Sequence, residues 1–97
     1  MTDDDDMILD VVRAIYTLNK AALDRGALSM WTIYDKPRDH PDGYIARRHE
    51  AANGVSGPTN DVLTGDLTLM REAMSRCGLV RMQRAPSDEP QIVETWM

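Results

Sequence analysis

Apolar positions in this chain follow two rhythms, one near 3.6 residues and one of 2, and their succession predicts an α+β domain. Ile8, Val11, Ile15, Leu18 and Ala22 recur at 3-4-3-4 spacing, which lines one face of a helix over Met7–Leu23; Val12 and Leu23 widen the stripe. Arg25 and Gly26 follow as a terminal cation and a closing glycine. From Leu28 to Tyr34 the period changes to two. Trp31 and Ile33 share one side and Met30, Thr32 and Tyr34 the other, as in a strand. Tyr44–Glu50 predicts a second strand, antiparallel to the first across a connection holding Pro37 and Pro41. Asp35, Asp39 and Asp42 favour turns there through their own side chains, and Asp42-Gly43 is a turn signal.

The segment Ala51–Gly65 contains Asn53, Gly54, Gly57, Pro58 and Asn60 and reads as the least ordered part, with Asp61–Thr64 as a short edge strand. Asp66 or Thr64 caps a second helix whose stripe is Leu67, Met70, Met74 and Cys77, and Gly78 stands where a terminating glycine is expected. Leu79–Arg84 reads as a short strand and Ala85–Pro90 as another Pro/Asp turn. Gln91–Met97 ends the chain as a strand in which Ile92, Glu94 and Trp96 alternate with Val93, Thr95 and Met97. The expected architecture is an antiparallel sheet of three to five strands with helices on one face. An N-terminal helical extension over residues 1–29 joins a small α+β domain over 30–97, in one compact unit.

Composition adjusts this picture. With 97 residues, 42% hydrophobic, the chain supports one modest core. Seven Met and no Phe make that core adaptable and weakly specified, so a homodimer that adds buried area suits it. The net charge of −5 disfavours general affinity for nucleic acid, which needs concentrated cations. The run Asp3–Asp6 supplies most of the excess and reads as a solvated end and helix cap. One cysteine, Cys77, allows no intrachain disulfide and fits a reducing compartment. No apolar run reaches the roughly 18 residues of a membrane helix. The acidic N-terminus is unlike a secretory leader, so the cytoplasm is the expected location and no membrane partner is expected.

Candidate chemistry is sparse. Asp39, His40 and Asp42, with His49 across the hairpin, have the ligand types of a divalent-metal site, which would make the chain a cryptic metal-dependent hydrolase. Their spacing fits no metal template, and turn-forming aspartates explain the same residues. An EF-hand loop fails because Arg38 and His40 fall where acids are required. Arg47, Arg48, Arg81 and Arg84 form a possible anion or nucleic-acid patch, the mark of a small nucleic-acid-binding regulator. Arg47 and Arg48 point to opposite faces of a strand, and ion pairs with Glu50 and Glu94 account for these cations more simply. Cys77 lies on an apolar helix stripe, which suits a small core residue. No glycine-rich phosphate loop is present and no cofactor is expected.

Two segments carry a resemblance: Trp31-Thr-Ile-Tyr-Asp-x-Pro-x-Asp-x-Pro-Asp, and Gly78-Leu-Val-Arg-Met-x-Arg-x-Pro-x-Asp-x-Pro-x-Ile-Val-Glu-Thr-Trp. Over roughly residues 30–97 the chain resembles a group of small uncharacterised bacterial and phage-associated proteins. The resemblance implies no activity, and it implies that residues 1–29 are an extension, since members of the group tend to start near the position of Met30. The expected function is a non-enzymatic interaction or accessory protein whose partner is a second copy or another protein. Ile8, Val11, Ile15, Leu18, Trp31 and Trp96 are the candidate contact residues.

Overall fold

Helix α1 spans Asp3–Asp24, so it begins four residues before the expected start at Met7 and includes the aspartate run. In the computed structural model, which describes residues 3–35, 43–83 and 92–97, it is followed by β1 (Leu28–Asp35), β2 (Tyr44–Ala52), β3 (Val55–Gly65), α2 (Leu67–Arg76), β4 (Arg81–Gln83) and β5 (Ile92–Trp96). The candidates Asp39, His40, Asp42 and Arg84 lie outside the described residues, as do the two Pro/Asp connections.

Both helices stop in the same way. Gly26 and Gly78 adopt φ of 79° and 78°, the left-handed conformation that only glycine adopts at little cost. The amide of Ala27 then donates to the carbonyl of Ala22 (2.8 Å), and that of Leu79 to Met74 (3.1 Å). The glycine amides bond Leu23 and Ser75, completing two Schellman motifs. At the start of α2, Asp66 Oδ1 accepts from the Leu69 amide at 2.8 Å, which identifies Asp66 as the cap.

The sheet order is β3-β2-β1-β5-β4, with every pairing antiparallel. The expectation for residues 51–65 needs correction: the segment is ordered hairpin. Asn53 and Gly54 both have positive φ (54° and 78°), as a two-residue type I′ turn requires, and β3 runs for 11 residues. Gly57 and Pro58 are tolerated because β3 is an edge strand. The register slips between the pairs Arg47↔Val62 and His49↔Pro58, and the bulge takes up the extra residues.

Helices pack on one sheet face only. The core joins Ile15 of α1 and Met70, Ala73 and Met74 of α2 to Trp31, Ile33, Ala46 and Trp96 of the sheet. Relative to the expected stripe of α2, the buried set is turned towards Leu69 and Ala73, leaving Leu67 and Cys77 partly covered. This arrangement corrects the contact candidates. Ile15 and Trp31 are fully buried, Trp96 is 7% exposed, and Val11 and Leu18 pack against the same cluster. Their apolar surface is satisfied within the domain, because α1 lies on the sheet. Ile8 lies at the edge, lining a cleft of about 410 Å³ beside Met7 and Leu69. Neither helix is long and apolar enough to cross a membrane.

Candidate functional site

Two charged residues sit inside the sheet's helix-facing side, and both are fully engaged. Arg48, 4% exposed, donates through Nε to Asp61 Oδ2 (2.9 Å) and through Nη1 to Glu50 Oε1 (2.9 Å) and Ser29 Oγ (3.0 Å). Glu50 also receives both terminal nitrogens of Arg25, at 3.0 and 3.1 Å. The Arg25 and then the Arg48 guanidinium hold the Glu50 carboxyl below the usual carboxylate range. Glu94, 3% exposed, is gripped by Arg71 of α2 at 2.7 Å and accepts the Trp96 indole N–H at 2.6 Å. That fork fixes α2 on the sheet, and hydrogen bonding to Glu94 raises the Arg71 pKa. These networks tie β1, β2 and β3 together and fasten α2 to β5.

Of the four candidate arginines, the three among the described residues, Arg47, Arg48 and Arg81, are not brought together. Arg48 faces the helices and its charge is taken up by acids. Arg47 faces the other way and donates to the Thr59 carbonyl at 2.7 Å. Arg81 lies on β4, separated from β2 by β1 and β5, about 14 Å away at ordinary strand spacing. The Glu94 expected to neutralise these cations is paired with Arg71 instead.

His49 has Met30 and Pro58 as its cross-strand neighbours, neither of them a metal ligand of the expected kind. No group of three His, Cys, Asp or Glu able to hold a metal occurs among the described residues. The His49 Nε2 is enclosed without a hydrogen-bond partner, as is Asp35 Oδ1. Burial, and secondarily the Arg47 charge, depress the imidazole pKa. The sign follows directly. The unfolded chain takes the proton first, so stability has its full value above about pH 6.5 and falls as pH drops from there to the folded-state pKa. Urea midpoints measured across this range are expected to decline for the wild type and to stay flat for His49→Gln; a flat wild-type curve would refute the assignment.

The remaining feature is the sheet face turned away from the helices. Register places Met82, Thr95, Thr32, Arg47 and Val62 in one line across all five strands. Met30, His49 and Pro58 form a second line, and Tyr34, Ile45 and Thr64 a third. An antiparallel sheet open on one side ordinarily alternates apolar inside with polar outside. Here the outside carries Leu28, Met30, Tyr34, Ile45, Val62 and Met82, with Arg47 and His49 as its basic groups among the residues in register. Leu28 and Met82 are 57% and 48% exposed. Sequence reasoning missed this surface although its signal is present: both sides of the Leu28–Tyr34 alternation are apolar, which a strand with one wet face does not need. Comparison with protein-family models, with curated proteins and with solved structures finds no match.

Proposed function

We propose that this chain is a non-enzymatic interaction or accessory protein that works as a homodimer, with the outer sheet face as its self-contact. The supporting observation is the apolar character of a face that no helix of the described residues covers. Five strands at about 4.8 Å spacing, with a rise of about 3.3 Å per residue, span on the order of 500 Å² in projection. That is the size class of a standard interface, about 800 Å² of accessible surface per partner. Two such faces stack about 10 Å apart in aligned sheet packing. A reducing, cytoplasmic setting suits the unpaired Cys77.

Light scattering behind size exclusion tests the reading. The wild type is expected to run at twice the chain mass. Ile45→Lys, which places a charge on the outer face without touching the core, is expected to weaken association at least about a hundredfold, ~2.7 kcal/mol, with unchanged circular dichroism. A wild type that stays monomeric at high micromolar concentration would sink the proposal.

A further inference from the structure

Among the described residues, His49 is the outer-face side chain of the type whose charge changes near neutral pH. It stands in β2 with Met30 of β1 and Pro58 of β3 as its cross-strand neighbours. Its Nε2 is enclosed by the chain itself and meets no hydrogen-bond partner. A neutral imidazole tolerates this with Nε2 as a bare acceptor. An imidazolium carries N–H on both nitrogens, so Nε2 becomes an enclosed charged donor with nothing to receive it. The surrounding groups give no relief. Arg47 projects from the same face of β2, tied to the Thr59 carbonyl at 2.7 Å and paired with no described carboxylate. On this side β1 sets Leu28, Met30 and Thr32 and β3 sets Ser56, Pro58 and Val62, none of them charged. Tyr34, further along β1, carries a phenol, a group that titrates at about pH 10 and not here. The acids Glu50 and Asp61 serve Arg48 on the helix-facing side, and Glu50 holds Arg25 as well. Burial, and after it the Arg47 charge, already lower the His49 pKa in the single chain. A second copy laid on this face removes more water and, by two-fold symmetry, brings a second Arg47 and a second His49 into the same layer.

We infer that protonation of His49 opens the self-contact, so that the protein is a dimer at neutral pH and a folded monomer in mild acid. This rests on the outer-face dimer and adds its regulation. Each chain takes up a proton when the dimer separates. The dimer therefore has its full strength above the free chain's His49 pKa and loses it as pH falls from there through the lower value in the dimer. With one such imidazole in each copy, the limiting slope is about a hundredfold in Kd per pH unit. Overall charge works in the opposite direction. The chain carries −5 at pH 7 and its pI is about 4.8, so acid reduces the repulsion between copies. A looser dimer in acid thus identifies a local group.

Sedimentation equilibrium of the full chain gives Kd at about pH 7.5 and at about pH 5, on either side of the ordinary imidazole range. The wild-type Kd is expected to rise at least about tenfold in acid, with far-UV circular dichroism unchanged. His49→Gln is expected to hold one Kd at both pH values, although it retains His40, the chain's other histidine. His49→Lys, which makes the positive charge permanent, is expected to be folded and monomeric at the higher pH. A wild-type Kd that does not move with pH, one that moves as much in His49→Gln, or a His49→Lys dimer as tight as the wild type overturns the inference and leaves the dimer standing. A wild type that is monomeric at both pH values removes the self-contact and this inference together.

Discussion

Trp31→Ala is expected to lower the stability of this domain by about 4 kcal/mol, among the largest effects of any single apolar substitution in it. Trp31 is fully buried at the centre of β1, the middle strand of five. It belongs to the cluster that includes Ile15, Met70 and Met74, and its neighbour across to β5 is Trp96. Its indole N–H also donates to Asn19 Oδ1 at 2.9 Å, so the residue ties α1 to the sheet by shape and by a hydrogen bond. Truncation leaves a cavity that helices on one side and a sheet on the other cannot readily close. For a domain this small such a loss lowers Tm by about 20 °C. Trp31→Phe keeps most of the ring and loses the donor, and a cost of about 1–2 kcal/mol is expected. Urea titrations of both variants give the check. If Trp31→Ala lies within about 1 kcal/mol of the wild type, the core is not organised around this ring.

The elements whose evidence is local were legible in the sequence. The α1 stripe, the alternation of β1 and the closing glycines each depend on residues a few positions apart, and the structure places them as read; for the α2 cap it selects Asp66 from the pair Asp66 or Thr64. The β2–β3 hairpin was obscured because its cues conflict. Gly57, Pro58 and Asn60 speak against a strand, whereas the Asn53-Gly54 pair is the strongest short hairpin signal available. The edge position of β3 settles the conflict, and strand order is not written locally.

The same limit governs the surfaces. Periodicity identifies which α1 residues share a stripe but not whether that stripe meets the chain's own sheet or another molecule, so Ile15 and Leu18 are contact candidates by sequence and core-packing residues in the structure. Arg48 illustrates the point for charge. Its partner Glu50, two residues on, is legible from sequence, but its other acceptors lie 13 residues ahead at Asp61 and 19 behind at Ser29, separations that only the register of β1, β2 and β3 turns into contacts. Arg71 meets Glu94 across 23 residues for the same reason.

Arg48→Met is the second large effect. The Arg48 side chain is 5% exposed, and its two acids, Asp61 and Glu50, both at 2.9 Å, are 33% and 25% exposed. Removing the cation strands a partly enclosed carboxylate that water only half reaches, and breaking pairs of this kind costs about 3–5 kcal/mol; the partial exposure of Asp61 puts the expectation near 3. Ser29 Oγ also loses its Arg48 donor at 3.0 Å, whereas Thr59 Oγ1 still donates to the backbone carbonyl of position 48 (2.8 Å) and accepts the Asp61 amide (3.1 Å). Glu50 suffers less, since Arg25 still holds it. The decisive comparison is the double variant Arg48→Met/Asp61→Asn. With both charges gone the site resembles an apolar replacement, which is often close to neutral, so the double variant is expected to recover at least about 1 kcal/mol over the single. The stability difference between wild type and Arg48→Met is also expected to narrow in acid. Glu50, held below its ordinary range, contributes fully above about pH 4.3, and that contribution disappears as pH falls through its folded-state value. A single variant that costs under about 1 kcal/mol, or a double whose loss is the sum of the two singles, would mean that this cluster is a solvated surface feature and not the polar anchor of β1, β2 and β3.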